Sequence, residues 1–116
     1  MMEPFDPRKV EELIRSFAGE NVYIHLETTN GVYTNREDPS FLNASAFIRN
    51  AQIRFQEGRV AGSGPYRVGL KLDRGWVYGD GLTHYLLDEK GRLLLAGLNQ
   101  KGQLAIALEL SRTPFE

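Results

Sequence analysis

A chain of 116 residues with 41% hydrophobic and 25% charged residues has the proportions of one ordinary globular domain, long enough to bury about two-thirds of its unfolded surface. Its formal net charge of −1 excludes a polycation that grips phosphate along its length, and the absence of cysteine excludes disulfides, thiolate zinc sites and cysteine nucleophiles. No apolar run reaches the roughly eighteen residues of a membrane helix, and Glu3, Asp6, Glu11 and Glu12 stand where an export signal would be apolar, so a cytoplasmic single domain over residues 1–116 is expected.

Asp6-Pro7 is an N-cap and first-turn pair, and Val10, Leu13, Ile14 and Phe17 recur at helical spacing before Gly19, which predicts a helix from Pro7 to Ala18. From Asn21 the period changes to two. Val22, Ile24 and Leu26 point one way and Tyr23, His25 and Glu27 the other, as in a strand. Asn30-Gly31 before Val32-Tyr33-Thr34 is the dipeptide of a type I′ hairpin turn, and Asn35 to Ala44 reads as an irregular loop with a short helical turn around Ser40 to Leu42.

Ser45 to Gln56 is a strand of disturbed phase. Phe47, Ala51, Ile53 and Phe55 share a face that would include Arg49 unless a bulge near Asn50 turns it out. Glu57 to Pro65 reads as a Gly-rich connection, followed by a strand in which Tyr66, Val68, Leu70 and Leu72 alternate with Arg67, Gly69 and Lys71. After the Asp73-Arg74-Gly75 turn, Trp76 to Tyr78 is a short strand that Gly79-Asp80-Gly81 breaks. Strands over Thr83 to Asp88, Arg92 to Leu98 and Gln103 to Leu110 follow, separated by Glu89-Lys90-Gly91 and Asn99-Gln100-Lys101-Gly102. The apolar run Leu93-Leu94-Leu95 suits a strand covered on both faces, and small Ala105 and Ala107 leave room for a second body, including a second copy of the chain. The sum is an α+β fold, mainly β: an antiparallel meander of about seven strands curling toward a barrel, with one N-terminal helix packed on it.

Several constellations could carry chemistry. Asp80 and His84 stand four positions apart among exposed glycines, suited to acid and base roles, although the same residues suit a plain strand connection. His25 and Glu27 share a strand face and with His84 would offer nitrogen and oxygen to a metal if the strands adjoined, the alternative being a solvated face. Arg54, Arg67 and Lys71 occupy outward positions with Arg59 between them, forming either a basic stripe for phosphate or carboxylate groups or an ordinary solvated face. Trp76 and Tyr78 share a face and either floor a ligand pocket or belong to the core. Gly62-Ser63-Gly64 completes neither a nucleophile elbow nor a phosphate loop.

Gly79-Asp80-Gly81-Leu82-Thr83-His84-Tyr85, Leu94-Leu95-Ala96-Gly97-Leu98-Asn99, Ala107-Leu108-Glu109-Leu110-Ser111 and Pro114-Phe115 together resemble the small YojF-like proteins of bacilli, over nearly the whole chain. That family is one of unknown function, so the resemblance transfers no catalytic residue. It implies a cytoplasmic bacterial protein with an accessory role beside a deacetylase of the bacillithiol pathway.

The expectation is a non-catalytic accessory or small-ligand-binding module that forms a homodimer and needs no cofactor. A small enzyme using Asp80 and His84 is the first alternative. Binding of single-stranded nucleic acid through the basic strand face is the second.

Overall fold

The structure is a computed structural model and describes residues 1–30 and 44–116. The expected hairpin turn at Asn30-Gly31, the strand through Thr34 and the helical turn around Ser40 lie outside the described residues.

The described elements run β1 (Glu3–Pro4), α1 (Pro7–Arg15), β2 (Val22–Asn30), β3 (Ala44–Ile53), β4 (Glu57–Ala61), β5 (Tyr66–Leu72), β6 (Gly75–Leu82), β7 (His84–Leu87), β8 (Leu93–Leu98) and β9 (Leu104–Ser111). They form two open antiparallel sheets, β1-β7-β8-β9-β2-β3 and β4-β5-β6, so the fold is α+β and mainly β but does not close into a barrel. No helix among the described residues is long and apolar enough to cross a membrane.

The helix begins as its sequence dictates. Asp6 caps it, its carboxylate accepting from the Lys9 N–H at 3.2 Å, and Val10 and Ile14 are fully buried. Ile14 lies against Gly58 of β4, where any Cβ would collide with it. The Glu11 carboxylate accepts from the Val60 N–H at 2.9 Å, which satisfies a donor on the edge strand. Residues 57–61 are therefore a strand and not the expected loop: Gly58 is there to admit the helix.

The predicted bulge is present. Asn50 takes φ +58°, Ala51 pairs with Ile24 and Arg49 with His25, so Arg49 leaves the core face. Gly79-Asp80-Gly81 does not break its strand, because β6 runs through it to Leu82. Gly79 packs on Leu108 across the core, and Gly81, at φ +90°, is the extra residue where the β5–β6 register shifts.

The chain changes sheets in one residue, Thr83. Its N–H donates to the Ala96 carbonyl at 2.9 Å, its carbonyl accepts from the Phe5 N–H at 2.9 Å, and its hydroxyl accepts from the Leu98 N–H at 2.9 Å. The inner faces of the two sheets then enclose one core with Leu70, Leu82, Leu93, Leu95, Leu108 and Leu110, all 0–1% exposed. At Gly97 a Cβ would run into the Gly81 carbonyl oxygen and the Ile106 side chain. Gly97→Ala is therefore expected to lower unfolding free energy by about 3 kcal/mol in urea denaturation; a loss below about 0.5 kcal/mol would contradict this close approach.

Candidate functional site

The outer face of the three-stranded sheet carries alternate residues of each strand. The β5–β6 register sets Lys71 across from Trp76, Gly69 across from Tyr78 and Arg67 across from Asp80, and β4 adds Glu57 and Arg59. Trp76 and Tyr78, two apart on β6, stack with centroids 5.4 Å apart and planes 11° apart, while remaining 42% and 50% exposed. Gly69 makes this possible: a Cβ there would stand 2.9 Å from the Tyr78 ring and 3.4 Å from that of Trp76. Arg67 approaches Tyr78 from the Asp80 end of the strand, 5.8 Å from the ring centroid. Both Arg67 Nε and Nη2 donate to Asp80 Oδ2, at 3.2 and 2.9 Å, and Asp80 Oδ1 accepts from the Gly81 N–H at 2.9 Å. The Arg67 and Asp80 side chains are 55% and 60% exposed, so this pair adds little to stability; its effect is to fix the guanidinium beside the rings.

Four of the five expected ligand-binding residues, Arg67, Lys71, Trp76 and Tyr78, thus share one face. Arg54 does not join them: its guanidinium donates to the Gly19 carbonyl beyond the helix, with Nε at 2.9 Å. Asp80 is held by Arg67, whereas His84 begins β7 in the other sheet with Nδ1 2.8 Å from the Thr83 hydroxyl. Strands β8 and β9 separate His84 from β2, so His25, Glu27 and His84 do not converge, and no metal-binding cluster occurs among the described residues.

His25 and Glu27 belong instead to a covered polar cluster on the outer face of the six-stranded sheet. His25 is 8% exposed, which rules out the solvated strand face. Its Nε2 lies 3.0 Å from Glu27 Oε1 and its Nδ1 lies 3.1 Å from Arg49 Nη1, so both ring nitrogens have a polar partner. Glu109 of β9 lies directly across from His25. Asn50 clasps the Phe115 backbone, accepting its N–H at 2.7 Å and donating to its carbonyl at 2.8 Å, and Phe115 packs edge-on to His25 at 6.3 Å. Arg49, Glu109 and Phe115 were not foreseen as a group. The available signals were Arg49 breaking the apolar phase of its strand and a carboxylate following Ala105 and Ala107 on one face.

This is a small two-sheet antiparallel domain with a cationic, aromatic outer face on the smaller sheet and a covered polar cluster on the larger. The chain belongs to a family of proteins of unknown function (DUF1806), which it matches over residues 4–115. It is 45% identical over 106 residues to the uncharacterized protein YojF of Bacillus subtilis (strain 168), covering 91% of each chain. It also superimposes on the crystal structure of Bacillus subtilis YojF with a TM-score of 0.83 at 42% identity, covering 99% of this chain and 97% of that one.

Within the polar cluster, burial pushes the Glu109 carboxyl above the usual carboxylate range, and Glu27 adds to this, while His25, Arg49 and Arg92 pull the other way without overcoming it. A raised folded-state value means that the folded chain holds this proton to higher pH than the unfolded chain. The associated stability is complete below the unfolded carboxylate range and is lost as pH rises through the folded value. Glu109→Gln is expected to remove that loss, so its stability relative to wild type should increase between about pH 4 and pH 7 in denaturation curves. A stability difference that stays flat over this range would contradict the assignment.

Proposed function

We propose that this chain is a non-catalytic small-ligand-binding module whose ligand lies across Trp76, Tyr78, Arg67 and Lys71. The exposed parallel aromatic pair, seated over Gly69 beside an oriented arginine, carries this reading. Two large aromatics left half in water on a rigid sheet present flat apolar area that needs no reordering to bind, and Arg67 is already fixed at their edge. An acid–base role for Asp80 and His84 has less support, since Arg67 and Gly81 engage the carboxylate and Thr83 lies against the imidazole. The exposed aromatics beside Arg67 and Lys71 also favour the nucleic-acid alternative, because base stacking needs rings next to cations.

A thermal-shift screen of aromatic and anionic metabolites checks the main reading. A ligand at a hundredfold excess over its Kd should stabilise the wild-type chain by about 2.7 kcal/mol and leave the Trp76→Ala/Tyr78→Ala double variant unmoved. Ligands that stabilise both proteins equally, or no stabilising ligand at all, would overturn it.

The accessory role in the cytoplasm beside a bacillithiol-pathway deacetylase, and a homodimer through the Ala105 side of β9, are part of the same proposal. Ala105 is exposed on that strand, as such a contact requires. Native mass spectrometry should record a dimer that binds the deacetylase, with Ala105→Glu reducing the dimer to monomer. A monomeric wild-type chain that ignores the deacetylase would remove both partners.

A further inference from the structure

We propose that the ligand of this face is a nucleotide, with its base stacked on Trp76 and its phosphate held by Lys71. This rests on the ligand-binding reading of the same face and adds the ligand's chemical class. The row on the outer face has a closed end and an open end. Tyr78 has the Arg67 guanidinium on one side, 5.8 Å from its centroid, and Trp76 on the other, at 5.4 Å. Trp76 has Tyr78 as its only stacked aromatic neighbour among the described residues, so a further planar ring would extend the row at Trp76.

The charges are disposed to match. Arg67 is engaged by Asp80 and Arg59 by Glu57, at 2.9 and 3.3 Å, whereas Lys71 makes no ion pair among the described residues. Glu57 lies across from Lys71 on β4, but its carboxylate is the one Arg59 engages. Lys71 is exposed and lies directly across from Trp76, where opposed Cβ atoms stand about 5 Å apart. Its flexible stem therefore brings a compact ammonium charge to the rim of the indole, where a phosphate on a stacked base would fall. A neutral ring would leave Lys71 without a role, and a bare phosphate would leave the rings without one. A free mononucleotide and a unit of a single strand share this chemistry.

Trp76 is the chain's single tryptophan, so its fluorescence reports on this face alone. Titration with AMP should quench it saturably, with adenosine about tenfold weaker and ribose 5-phosphate giving no quenching. Lys71→Met should bring AMP down to the affinity of adenosine, and Lys71→Arg should restore most of the difference. A short oligothymidylate binding far more tightly than TMP, with steep loss on added salt, would support the same chemistry with a single strand as its source. Equal affinity for AMP and adenosine, or AMP binding unchanged in Lys71→Met, would overturn the nucleotide assignment while leaving a ligand face. A metabolite that binds through Trp76 when AMP does not would do the same. No ligand of any class dependent on Trp76 would remove the ligand-binding reading itself.

Discussion

The passage from β6 to β7 through Thr83 holds the two sheets face to face. A single residue leaves no slack, so the two sheets must meet where the chain crosses, and Thr83 ties that crossing to β8 and to the N-terminal segment through hydrogen bonds from both its backbone and its hydroxyl. Such proximity is possible only because Gly97 carries no side chain toward Gly81. Once the inner faces are pressed together, the leucines of β5, β8 and β9 form one dry core, and the helix closes its side through Ile14 on Gly58. Each outer face is then free to take its own chemistry.

The two outer faces differ in how their polar groups are held. On the larger sheet, the His25 and Glu27 side chains are covered and satisfy each other, with exposed Arg49 at the edge of the cluster, and Asn50 both forms the bulge and holds the Phe115 backbone. Such a cluster stiffens the sheet. On the smaller sheet, two mutually stacked rings and paired charges remain in water, where they contribute little to folding. Side chains that add little to stability yet hold a defined arrangement mark the face on which function is sought.

How much of this was legible in the sequence depends on whether local pattern or distant contact decided each residue. The Asp6 cap, the β5 alternation and the glycine turns at Gly91 and Gly102 are local, and the structure has them. So is the conflict of phase at Arg49, which pointed to the bulge at Asn50. The strand at residues 57–61 was hidden because Gly58 reads as a loop residue until Ile14 is placed against it. Likewise Gly79 and Gly81 read as a break, although one serves packing on Leu108 and the other a bulge within a continuous strand. The site was half legible for the same reason. Alternation put Arg67 and Lys71 on one face and Trp76 and Tyr78 on one face, but only the β5–β6 register joins the two faces into one, and only the Gly19 carbonyl beyond the helix draws Arg54 elsewhere. The covering of His25 depends on Phe115, ninety residues along the chain, and no local pattern carries that information.

Ligand binding is proposed for the outer face of the three-stranded sheet. Amide and indole chemical-shift mapping of the isotope-labelled chain during titration with AMP tests it most directly. Shifts are expected at the Trp76 indole N–H and at the amides of Lys71, Tyr78 and Arg59, with those of His25 and Glu109 unmoved. Shifts centred on His25 and Glu109 instead, with Trp76 unaffected, would contradict it.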